Sequence, residues 1–121
     1  MPSNVEIARR GYEAVLAGDL ETVRGFLAPE VRWHGGDPDA PGACRNREEA
    51  MRFMRRAIGG SGPGELVDVI GAGDKVVVII RPILEGGGLG EPTANLTTFR
   101  DGKAIEMVHH PDPADALAAL G

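Results

Sequence analysis

The chain of 121 residues carries a formal charge of −5 with no block of Lys or Arg, so neither nucleic acid nor an anionic membrane is an expected partner. That length supports one hydrophobic core, and residues 1–121 are read as a single domain. No apolar run reaches a membrane span, Met1 to Gly18 is too charged for a signal peptide, and Cys44 is the sole cysteine; the expectation is a soluble cytoplasmic protein without an internal disulfide.

Ser3 or Asn4 can cap a first helix, on which Ile7, Ala8, Gly11, Tyr12, Val15 and Leu16 form one stripe. Gly18 ends it, and Asp19 can cap a second helix whose apolar side is Leu20, Val23, Phe26 and Leu27, running to Pro29. Val31 to His34 reads as a short strand with Val31 and Trp33 on one face and Arg32 and His34 on the other. The Gly, Asp and Pro content of Gly35 to Gly42 predicts an exposed loop. Asn46 and Glu49 have capping-box spacing for a third helix that buries Ala50, Phe53, Met54, Ala57 and Ile58, broken by Gly59 to Gly64.

From Glu65 onward the period changes to two. Glu65 to Ile70 turns at Gly71 to Asp74 into Lys75 to Ile80, a run apolar from Val76 onward and therefore expected to be covered on both faces. Helices on one side leave the other to a second copy, which predicts a homodimer through the sheet. Glu85 to Pro92 reads as a glycine-rich hairpin loop. Its lack of a following helix argues against a phosphate cradle. Asn95 to Phe99 and Ala104 to His110 flank Asp101-Gly102, a pair suited to a type I′ turn. Alternation puts Ile105, Met107 and His109 together and Glu106, Val108 and His110 opposite. Pro111 stops the strand, Asp112 can cap a short last helix, and Leu117 and Leu120 are spaced to cover one side. Helices followed by an antiparallel meander make an α+β domain with helices packed on one side of a curved sheet.

Tyr12-Glu13-Ala14-Val15 with Gly18-Asp19-Leu20, then Val31 to Gly35, Arg45 to Ala50, Asp101-Gly102-Lys103 and Asp112 to Leu117 together resemble the SnoaL-like branch of the nuclear transport factor 2-like, or ketosteroid isomerase-like, superfamily. The resemblance implies a conical barrel: a strongly curved, mainly antiparallel sheet wrapped around about three N-terminal helices, with a short C-terminal helix. It further implies a pocket between sheet and helices and pairing through the convex face. Its members include isomerases, polyketide cyclases and binding modules, so fold alone does not fix function. In the isomerase, an aspartate base works with a tyrosine and a protonated aspartate. Asn95 stands at the position of the protonated aspartate, Gly35 and Gly36 stand where the base is expected, and Tyr12 lies one residue from the tyrosine position.

On these grounds the expected catalytic group is His109, read as a buried proton carrier, with Asn95 and Tyr12 as hydrogen-bond donors. Trp33, Met107, Thr97 and Ile105 are expected to contact the ligand, a small apolar or aromatic compound. No cofactor is expected. No metal is expected either, because His109, His34 and Asp37 lack a ligand spacing. Cys44, beside Arg45 and Arg47, lacks a base partner and reads as packing. Arg81 is left without an assigned direction. The functional expectation is an acid/base catalyst of isomerase or cyclase type acting on a carbonyl compound; the alternative is a non-catalytic binding or dimerisation module of the same fold.

Overall fold

Helix capping organises the first half of the chain. The computed structural model describes residues 3–59, 64–84 and 86–120, and the side chains of all these except 57–59. Helix α1 spans Asn4–Leu16, and its Ser3 cap accepts the Glu6 N–H. Ile7 and Ala14 are its buried residues, whereas Leu16 is 47% exposed, so the stripe is rotated away from its predicted end. Gly18 turns at φ 73°, and Asp19 caps α2 (Leu20–Gly25) by accepting the Thr22 N–H.

The predicted second helix is too long and the first strand too short. Helix α2 stops at Gly25, and β1 spans Leu27–His34. Ala104 donates its N–H to the Phe26 carbonyl at 2.8 Å, which draws this stretch onto the last strand before Pro29 is reached. The register with that strand shifts between Leu27 and Arg32, where Pro29 has no N–H to give.

Helix α3 spans Arg47–Gly59; Asn46 accepts the Glu49 N–H and Glu49 accepts that of Arg45. Ala50, Met51 and Met54 are buried, but Phe53, predicted to be core, is 47% exposed. The predicted core residues Ala57 and Ile58, most of the glycine-rich break after them, and Glu85 lie outside the described side chains or residues.

Strands β2 (Glu65–Ala72), β3 (Lys75–Arg81), β4 (Thr93–Arg100) and β5 (Lys103–His110) form the antiparallel meander, and β1 joins β5 in parallel, giving a mixed five-stranded sheet ordered β1-β5-β4-β3-β2. Asp101 (φ 53°) and Gly102 (φ 79°) adopt the left-handed angles that a type I′ turn demands. Helix α4 spans Pro113–Leu120, with Asp112 accepting the Ala114 N–H.

The sheet has two covered faces. Val76, Val78 and Phe99 face the α1–α3 side in one apolar cluster with Ile7, Val31 and Met51. Val77, Ala94 and Leu96 face outward and are buried by Ala116, with Ile79, Val108 and Leu120 around them. Ala116 therefore does the covering expected of Leu117, which is 39% exposed. The apolar run of β3 is explained within one chain by α4, and needs no second copy to account for it. Among the described residues, no helix is long and apolar enough to cross a membrane.

Candidate functional site

Because the sheet curves away from α1 and α3, a cavity of about 610 Å³ opens between them. Its lining is chiefly apolar, including Val15, Phe26, Met54, Ile80 and Met107, with a few polar groups converging from β1, β4 and β5. Such a composition is that of a small-molecule site.

Trp33 is held through its backbone, its ring and its indole N–H. Its backbone exchanges hydrogen bonds with Cys44 at 2.9 and 2.7 Å, which closes the intervening loop into a wall of the cavity. Its ring meets Phe53 edge-on at 4.9 Å between centroids and 75° between planes. This partner explains why Phe53 leaves the core: it lines the cavity instead.

The Trp33 indole N–H donates to Asn95 Oδ1 at 3.3 Å. An indole nitrogen can only donate, so the amide oxygen must face it, and the Asn95 NH₂ becomes the edge left to donate. Asn95 pairs across the sheet with His109, and Thr97 with Met107, and all four line the cavity.

His109 is not the buried histidine expected from its neighbours. It is solvent-exposed and sits on the rim of the cavity. Ile105 does not line the cavity at all; Ala104 does. Thr98 pairs with Glu106 but Phe99 pairs with Ala104, so Ile105 is the extra residue of a bulge that switches the alternation. Tyr12 is half-buried against the cavity, its hydroxyl donating to the Gly64 carbonyl at 3.4 Å, and burial pushes its pKa up to about 12. Its one O–H is committed to that carbonyl, and the group stays protonated near neutrality.

His34 borders the cavity from a direction the alternation did not predict. Its Nδ1 accepts the Gly36 N–H at 3.0 Å, so the proton sits on Nε2, which donates to Glu106 Oε2 at 3.2 Å. The ring thus pins the start of the 35–43 loop to β5. Cys44 also lines the cavity, and desolvation by burial raises its thiol pKa, an inert rather than an activated cysteine. Arg81 is exposed and turns to the glycine-rich loop, donating Nε–H to the Gly90 carbonyl at 3.0 Å. Among the described residues, no group of three or more His, Cys, Asp or Glu side chains is placed to hold a metal ion.

The family description of the SnoaL-like domain matches residues 8–107. The chain belongs to the SnoaL-like domain family. This SnoaL-like domain is 29% identical to the ECF RNA polymerase sigma factor SigJ of Mycobacterium tuberculosis, over 92% of this chain and 39% of that protein. It therefore spans about two fifths of the curated relative it matches. Among solved structures it resembles Bal32a from a soil-derived mobile gene cassette, at 27% identity and TM-score 0.77 over 97% and 95% of the two chains. An NTF2-like protein of unknown function from Burkholderia pseudomallei K96243 is 25% identical, with TM-score 0.71 over 99% and 98%. A proposed SnoaL-like polyketide cyclase from Jannaschia sp. CCS1 shares the fold, at 23% identity and TM-score 0.71 over 97% and 90%.

Proposed function

We propose that this SnoaL-like domain binds a small, mainly apolar carbonyl compound in the cavity and acts on it by acid/base chemistry of isomerase or cyclase type. The observation that carries this reading is the Trp33–Asn95 hydrogen bond, which turns a donor amide toward a largely apolar space. A ligand carbonyl oxygen would accept from that amide. His109, its cross-strand neighbour, would remove a proton from the adjacent carbon; the electron pair moves onto the oxygen, and the imidazolium returns the proton elsewhere on the product. Preorganised donors help most where negative charge develops, and Asn95 is held before the ligand arrives. Tyr12, whose one O–H goes to the Gly64 carbonyl, joins Trp33, Thr97 and Met107 in the surrounding wall. Gly35 lines the cavity without a side chain, so the aspartate base of the steroid isomerase has no counterpart there. The fold shared with the proposed cyclase is consistent with this class of chemistry.

One observation favours a second reading, a non-catalytic ligand-binding or dimerisation module: the relative matched at 29% identity is a sigma factor rather than an enzyme. Dimerisation through the outer face would use ground beside α4, where Leu117 is exposed. Sedimentation velocity over a concentration series tests the dimerisation form of this reading, and a monomer throughout removes that form.

The deciding experiment is a thermal-shift screen of wild type, His109→Ala and Asn95→Leu against cyclic ketones, lactones and aromatic acids at several pH values. A ligand that binds the native state raises Tm by mass action. The proposal expects ketones to shift the wild type, Asn95→Leu to lose the shift, and His109→Ala to keep it while losing turnover. Ketone shifts with no turnover by wild type favour the binding module. No shift by any compound on any protein overturns the site.

A further inference from the structure

Thr97 is 6% exposed, lines the cavity, and among the described residues its hydroxyl has no hydrogen-bond partner. Its surroundings explain why. Its cross-strand neighbours are Val76 on β3 and Met107 on β5, and neither offers an oxygen or nitrogen. Along β4 on the same face lie Asn95, whose oxygen is taken by Trp33, and Phe99. The residue is buried as a whole, but its oxygen is not among the fully buried unpartnered side-chain atoms: it opens onto the cavity, where a group that enters can meet it.

Asn95 and Thr97 are two residues apart on one strand, and side chains at that spacing stand about 7 Å apart on the same face. We propose that the two form a pair of recognition points, and that the ligand carries two oxygen functions about 7 Å apart, a carbonyl at the Asn95 amide and a hydroxyl or second carbonyl at Thr97. This deepens the carbonyl reading above and rests on it. The pair selects by spacing. A rigid bicyclic compound oxygenated at both ends satisfies both points, whereas one with its oxygens side by side satisfies only one. The apolar walls on either side of Thr97 penalise any ligand that leaves the hydroxyl uncovered, so discrimination comes from the unmet partner as much as from the bond gained.

The test uses α-tetralone and two of its phenol isomers, one with the hydroxyl on the far side of the aromatic ring and one with it next to the carbonyl. Calorimetric titration of wild type is expected to show the far isomer binding about tenfold more tightly than either of the others, the worth of one buried hydrogen bond. Thr97→Val, which keeps the shape and removes the hydroxyl, is expected to bring that ratio to about one, and Thr97→Ser to retain it. If α-tetralone binds but the isomers bind alike, the two-point inference falls and the carbonyl reading stands. If no tetralone binds, the carbonyl reading fails and takes the inference with it. A ligand-free measurement gives an independent check: Thr97→Val should melt no lower than wild type. A clear fall in its Tm would mean that the hydroxyl is bonded within the fold, and would also overturn the proposal.

Discussion

Tyr12 offers a measurement that needs no ligand, because it is the only tyrosine in the chain. Its hydroxyl pKa is pushed up to about 12 by burial, against about 10 for an exposed phenol. At about pH 11 an exposed tyrosine is roughly nine-tenths ionised and Tyr12 roughly one-tenth. The folded state then holds a proton that the unfolded state has released. Stability from this group is therefore complete below about pH 10 and is lost as pH rises toward about 12. Two pK units correspond to about 2.7 kcal/mol at most, and a half-buried ring reduces this through solvent screening to about 1–2 kcal/mol. The assay is tyrosinate absorbance against pH, with circular dichroism to verify the fold, followed by urea denaturation at about pH 9 and 11 for wild type and Tyr12→Phe. Subtracting the variant cancels every other alkaline titration. The expected result is a midpoint near 12 and a loss of stability with pH that is smaller in Tyr12→Phe. A midpoint near 10 in the folded protein would mean a solvated hydroxyl, and would refute the placement of Tyr12 on the cavity wall.

Three further outcomes follow from local geometry. Gly64 has φ 98°, and a Cβ there would run into the Arg81 carbonyl, so Gly64→Ala should lose about 2–5 kcal/mol in urea denaturation; a loss under about 1 kcal/mol contradicts the close approach. Met51 is fully buried, and Met51→Ala should cost about 2–5 kcal/mol with the same fold by circular dichroism. His34→Ala frees the Gly36 N–H and the Glu106 carboxylate, so it should cost about 1–3 kcal/mol and speed amide hydrogen exchange across residues 35–43; unchanged exchange there would show that the ring does not hold the loop.

Caps, turns and the change of period at Glu65 were legible because they depend on neighbours in sequence. Ser3, Asp19, Asn46 and Asp112 each accept a nearby N–H, and Asp101-Gly102 makes its turn. Asn95, Thr97 and Met107 lie on the cavity face where simple alternation puts them, and so does Trp33, although its neighbour His34 breaks the alternation by reaching the cavity too. It fails at Ile105, where a bulge decided by pairing with β4 inserts one residue, a long-range fact that no local pattern carries. His109 was read as buried from Ile105 and Met107, but exposure at the end of β5 depends on what stands over it. Its alternation was right and its depth was wrong. Phe53 went to the core on helical period alone; only the position of Trp33 explains its place at the cavity. The two-sided cover of β3 was deduced correctly, but its agent, α4, was overlooked because Ala116 is too small to stand out in a hydrophobic pattern.

The parallel pairing of β1 with β5 fixes when the cavity can come into being. Among the described residues, strand β1 has no neighbour in the sheet except β5, the last strand, and the Trp33–Asn95 and His34–Glu106 hydrogen bonds join residues 62 and 72 positions apart. The first half of the sequence can form its helices early and supplies Cys44 and Phe53 to Trp33, yet the indole N–H lacks its Asn95 partner until the final hairpin docks. Closing such long loops is slow relative to forming local structure. Any assembly stage that lacks β5 also lacks the floor on which Met107 and His109 sit. Ligand recognition is therefore an all-or-none property of the finished fold, and a chain cut before Lys103 would keep most of the cavity's residues while losing the arrangement that makes them a site.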